Sequence, residues 1–114
     1  MKEFSQWKFY GVEPDEVAFQ KAAKIENFLV QKGFLETVHY PDKFFDVILI
    51  NQVLEHTFDP KKILAECHRI LKDNGKLIIA VPDFGSLNSK IFGKFWYHLD
   101  TPRHLYHFNS QTLQ

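Results

Sequence analysis

The side chains able to do chemistry in this 114-residue chain gather at the ends of apolar runs. Glu13 stands just past KFYGV (8–12), Asn51 and Gln52 just past DVILI (46–50), and Pro82 and Asp83 just past KLIIAV (76–81). An acid at the end of a parallel strand can accept two hydrogen bonds from ribose hydroxyls, as dinucleotide-binding folds do. The competing reading is that Glu13 only decorates the N-terminus of a following helix, where negative charge is favourable.

Five of the six histidines, His56, His68, His98, His104 and His107, fall in the second half, and His39 stands apart. Imidazoles suit zinc or iron, but the spacing of His98, His104 and His107 matches no standard zinc motif, and no metal is expected. His104 and His107 are candidate general bases, because a histidine titrates near neutral pH. Alternatively, they bond carbonyls in a structural segment. His56 follows Glu55 and either takes part in the chemistry or fixes the loop after DVILI. His68 lies on the charged side of a helical pattern. The single cysteine, Cys67, excludes an internal disulfide framework and a cysteine-based zinc cluster.

These residues need elements to hold them. Glu13-Pro14-Asp15-Glu16 opens a helix, with Pro14 suited to the first helical position. Ala18, Ala22, Ile25 and Leu29 recur at helical spacing with Phe28 beside them, and Gly33 is placed to cap the helix. Thr37 to Tyr40 reads as a short edge strand stopped by Pro41-Asp42. DVILI and KLIIAV are continuous apolar runs, as expected of strands covered on both faces. Between them, Asp59-Pro60 opens a helix with the stripe Ile63, Leu64, Cys67, Ile70 and Leu71, closed by Asn74-Gly75. Strands and helices in alternation predict an α/β fold with a parallel sheet and crossover helices. Such sheets bind ligands beyond the carboxyl ends of their strands, where the polar residues stand.

Composition narrows the function classes. Lys plus Arg and Asp plus Glu are both 14, so the formal net charge is zero. The basic bias of a nucleic-acid binder is missing. No apolar run approaches the roughly 18–20 residues of a membrane helix, and MKEFSQWKF has no apolar signal segment. The expectation is a cytoplasmic, soluble chain forming a single domain over residues 1–114, with neither nucleic acid nor membrane as partner. Aromatic residues crowd the two ends and thin out over 46–94, which an evenly built core would not produce.

The stretch FDVILINQVLEHTFDPKKILAECHRILKDNGKLIIAVPDF (45–84) resembles the class I S-adenosylmethionine-dependent methyltransferases. There the pattern is a strand beginning FD, a polar tail ending in LEH, a helix ending near a glycine, and a strand ending in Pro. YGVEPDEVAFQKA (10–22) resembles the family's second strand with its acidic ribose ligand. FGKFWYHLDTPRHLYHFNSQTL (92–113) resembles the substrate-side segment of one branch, W-x-x-x-D-x-P-R-H-L-x-H-F. The resemblance implies a partial Rossmann-like three-layer fold with a mostly parallel sheet, truncated at both ends. It implies that S-adenosyl-L-methionine is the cofactor and a small molecule the methyl acceptor. Glu13 would hold the ribose. Asn51 and Gln52 would line the pocket near ribose and methionine, with Val53 and Leu54 packed beneath. Leu35 and Glu36 would lie near the adenine.

The departures from the family pattern carry expectations of their own. The glycine-rich GxGxG loop, which lets backbone approach the cofactor's carboxypropyl group, has no counterpart in Met1–Trp7. The third strand reads as shortened, with only Phe34 between Gly33 and Leu35. The family's first strand would lie between 8–12 and 46–50, and a gap there would leave backbone groups unpaired at a cost. Direct pairing of those two strands, or a homodimer, is the expected repair. Two further readings stay open: a non-catalytic remnant serving as an interaction module, and another nucleotide binder using the same acid. The FDVILINQVLEH segment speaks against the latter.

Overall fold

The structure is a computed structural model, and it describes residues 6–83, 108, 111 and 112. Apolar runs punctuated by helix caps yield two strand–helix–strand units, residues 1–40 and 41–114. In each, two parallel strands are joined through a helix, the α/β pattern expected.

The first unit holds strand β1 (Phe9–Glu13), helix α1 (Glu16–Ala22) and strand β2 (Phe28–Lys32). Asp15 caps α1, its Oδ1 accepting from the Ala18 N–H at 2.8 Å. Pro14 therefore lies one residue before the cap and not at the first helical position. Helix α1 is also shorter than its apolar spacing predicts. Ala23 closes it, Asn27 turns the chain at φ 61°, and Phe28 and Leu29 belong to β2. Gly33 caps no helix. It follows β2 at φ 137°, a conformation glycine reaches without steric cost.

Strand β2 runs beside β1 in the register Phe9↔Phe28 to Glu13↔Lys32. The strand expected to be shortened is thus present, upstream of Gly33. Gly11 is needed where it stands, because a Cβ there would come within 2.4 Å of the Phe28 ring. Thr37–Tyr40 forms no strand. The Thr37 hydroxyl donates to the Phe34 carbonyl at 2.9 Å and closes a turn. Val38 and Tyr40 are buried, and the Tyr40 ring meets Tyr10 edge-on at 6.2 Å.

The second unit holds strand β3 (Phe45–Asn51), a short 3-10 turn (Leu54–His56), helix α2 (Pro60–Ile70) and strand β4 (Leu71–Ala80). Asp59 caps α2 by accepting from the Lys62 N–H at 3.2 Å, with Pro60 in the first turn, as the sequence predicts. The core is Ile50, Leu54, Ile63, Cys67 and Ile70.

Asn74-Gly75 does not close α2. The helix ends at Ile70, and the chain enters β4 at once, pairing Leu71 with Phe45. The ladder then breaks and resumes at Val47↔Lys76, running to Asn51↔Ala80. Gly75 sits in that excursion, where a Cβ would come within 2.6 Å of Leu71.

Arg69 secures the start of this unit. Its guanidinium bonds Asp42 and Glu66, and its carbonyl accepts from the Lys43 N–H at 2.9 Å. The two carboxylates raise its pKa further above the usual arginine value. Among the described residues β1 pairs with β2 and β3 with β4, in two separate sheets. The expected direct pairing of the 8–12 and 46–50 strands is therefore not formed. Each strand instead finds its parallel partner in its own strand–helix–strand unit, which satisfies one backbone edge locally.

Candidate functional site

In the first unit the polar candidates meet at the carboxyl edge of the two-stranded sheet. Glu13 is the last residue of β1, opposite Lys32, and its carbonyl accepts from the Gly33 N–H at 3.1 Å. The turn that follows Gly33 carries Leu35, half-buried, and Glu36, exposed. Parallel pairing therefore brings Glu13 and the Leu35–Glu36 turn to one edge.

The Glu13 side chain is oriented by the loop it precedes. The Asp15 N–H donates to its Oε1 at 2.9 Å, while Oε2 accepts no hydrogen bond among the described residues. One oxygen is anchored and the other is available. A fixed carboxylate that retains acceptor capacity fits a diol better than a freely rotating one. Nearby, Glu16 in the first turn of α1 pairs with Lys32 at the end of β2. That hydrogen bond, seconded by one from Gln20, holds the Glu16 carboxyl below its usual range. Both readings of Glu13 thus have a place: it organises the entry to α1 and keeps one oxygen available.

In the second unit Asn51 ends β3 beside Ala80, and the Gln52 N–H donates to the Ala80 carbonyl at 2.7 Å. Gln52 adopts φ 54°, a left-handed conformation uncommon outside glycine and asparagine. Such strain persists where the surroundings impose it, and it clusters at functional sites. Asn51, Gln52 and Val53 are exposed, whereas Leu54 is fully buried and is part of the core. His56 closes the 3-10 turn with its side chain exposed. His104 and His107 lie outside the described residues. His68 is exposed on α2, and burial pushes the Cys67 thiol up to about 11, which makes it a packing residue and not a nucleophile at neutral pH.

Glu55 was not singled out by sequence. It is fully buried in the 3-10 turn, and among the described residues neither carboxylate oxygen has a hydrogen-bond partner. The only sequence signal is its place: an acid between Leu54 and His56, immediately beyond an apolar strand.

The family described as "Methyltransferase domain" matches residues 1–79. The chain belongs to the methyltransferase domain family. A Thermotoga maritima structure, titled a SAM-dependent methyltransferase and possible histamine N-methyltransferase, superposes with a TM-score of 0.74 at 29% identity. The match covers 90% of this chain and 49% of that one. An uncharacterised Methanocaldococcus jannaschii protein is 41% identical over 64 residues, 56% of this chain and 30% of its own length. The uncharacterised methyltransferase YcgJ of Bacillus subtilis is 27% identical over 96 residues, 84% of this chain and 37% of its own length. The chain therefore spans about a third of the length of these two curated relatives. The strand–helix–strand units are part of a Rossmann-like methyltransferase fold, and the family's cofactor is S-adenosyl-L-methionine. Among the described residues no helix is long and apolar enough to cross a membrane.

Proposed function

We infer that this chain takes part in S-adenosylmethionine-dependent methyl transfer to a small-molecule acceptor, and that these 114 residues hold the cofactor weakly by themselves. The observation that carries this reading is the Glu13 carboxylate at the end of a parallel strand, anchored through Oε1 and open at Oε2. Glu13 would receive the ribose hydroxyls, with Leu35 and Glu36 on the same edge for the adenine. In the second unit, taken by itself, Asn51, Gln52 and Val53 are the exposed residues at the carboxyl end of β3 that the family resemblance assigns to the cofactor.

When bound, the cofactor supplies an electrophilic methyl group on a sulfonium. The protein's part is to hold donor and acceptor in line, and orientation of that kind supplies much of the rate. His56 is an exposed imidazole in the turn that follows β3, and it would accept a proton where the acceptor must lose one. The weak binding follows from the glycines, none of which stands in a GxGxG pattern in residues 1–114. Calorimetric titration with S-adenosylhomocysteine tests the proposal, and absence of heat at millimolar ligand would leave the interaction-module alternative.

A further inference from the structure

Parallel pairing sets Lys32 directly beside Glu13, as the last register pair of β1 and β2. Side chains at paired positions leave the same face of a sheet, with the strands about 4.8 Å apart. The flexible four-carbon stem of a lysine covers that span, so the Lys32 ammonium is within reach of the Glu13 carboxylate. It goes elsewhere. The Lys32 Nζ bonds Glu16 Oε2 in the first turn of α1. Gln20 donates to the other Glu16 oxygen at 2.8 Å, which fixes that carboxylate where it meets the ammonium. Glu13 accepts from the Asp15 N–H instead, and among the described residues no ion pair joins it to Lys32. Both oxygens of Glu16 are engaged, while Oε2 of Glu13 is not.

Stability does not account for the pair. Both side chains are 51% exposed, and exposed ion pairs contribute little to folding. What the pair decides is which of two nearby acids holds the lysine. We propose that Glu16 is a positioning residue: by holding Lys32, it keeps the Glu13 carboxylate open for the cofactor's ribose hydroxyls. This rests on the ribose reading of Glu13 given above. An ammonium seated on Glu13 would occupy the oxygen to which a hydroxyl must donate, with a charge-assisted bond that the ligand would have to displace. The cation instead rests on the acid that the ligand does not use.

The test is calorimetric titration of S-adenosylhomocysteine into the full chain as wild type, Glu16→Ala, Lys32→Met and the double variant. Both single changes break the ion pair, but only Glu16→Ala releases the lysine. Glu16→Ala should weaken the Kd by about threefold to fivefold, the scale of an exposed ion pair that the ligand must displace. Lys32→Met should leave the Kd unchanged, and the double variant should return to the wild-type value. The Glu16→Ala loss should also shrink in high salt, which screens an exposed pair. A pair that only braced α1 against β2 would make the single variants equally weak and the double variant no better, and that result overturns the proposal. Proton NMR without ligand reads the same exchange. Nuclear Overhauser contacts between the Lys32 ε-methylene and the Glu13 γ-methylene should strengthen in Glu16→Ala relative to wild type, and unchanged contacts overturn the proposal too. Strengthened contacts with no binding of S-adenosylhomocysteine by any of these proteins sink the ribose reading, while the exchange of Lys32 between the two acids stands.

Discussion

The Asp15 N–H donates to Glu13 Oε1 at 2.9 Å, so the residue that caps α1 also fixes the carboxylate at the end of β1. The two functions reside on different atoms of Asp15: its side chain caps the helix, and its backbone holds Glu13. Asp15→Ala should therefore destabilise the first unit by about 1 kcal/mol, the usual cost of a lost cap. Cofactor affinity should change little, because the backbone N–H remains. Urea unfolding and calorimetry on the same variant check the two halves of this expectation.

Gly11 leaves no room for a side chain against Phe28. Gly11→Ala should cost about 1–3 kcal/mol as an overpacked contact. Adding Phe28→Leu should recover most of the loss, and a double-mutant cycle in urea measures the coupling. Additive effects would mean that the ring and the backbone do not meet.

Much of this layout was legible in the sequence. DVILI followed by Asp59-Pro60 locates β3 and the cap of α2, and of the expected stripe Ile63, Cys67 and Ile70 are buried, whereas Leu64 is half-buried and Leu71 already belongs to β4. Strand β2 was not legible, because Ala18, Ala22, Ile25 and Leu29 keep a helical period straight through it. The deciding feature is Asn27 at φ 61°, a backbone state that a pattern of apolar residues does not encode. Glu13 was readable as a candidate because parallel strands place ligands at their carboxyl ends. Glu55 was not, since burial of a single acid depends on tertiary packing and leaves no periodic trace.

Gln52 is held in a left-handed conformation. Gln52→Gly should be neutral or stabilising by up to about 1 kcal/mol, because glycine escapes the steric cost. Gln52→Val should destabilise by about 1–2 kcal/mol, a branched side chain being least tolerant there. Thermal unfolding of the two variants ranks them, and the opposite order would show that side-chain contacts, not backbone strain, govern the position.

Burial holds the Cys67 thiol at a pKa of about 11 in the folded chain, against an ordinary value of 9.0. Above pH 9 the unfolded chain releases this proton and the folded chain does not, so the unfolded state is favoured as pH rises from 9 to about 11. Below pH 9 the thiol is protonated in both states and contributes no pH dependence. Stability measured over this range should fall more steeply in wild type than in Cys67→Ala, and parallel curves would contradict the assignment.

Whether Glu13 holds the cofactor's ribose is tested most directly by calorimetric titration of S-adenosylhomocysteine into wild type and Glu13→Ala. Weak but saturable binding is expected for wild type, reduced in the variant by about 1–3 kcal/mol, the worth of hydrogen bonds to a charged group. Equal affinities in the two proteins, or no saturable heat at millimolar ligand, would contradict it.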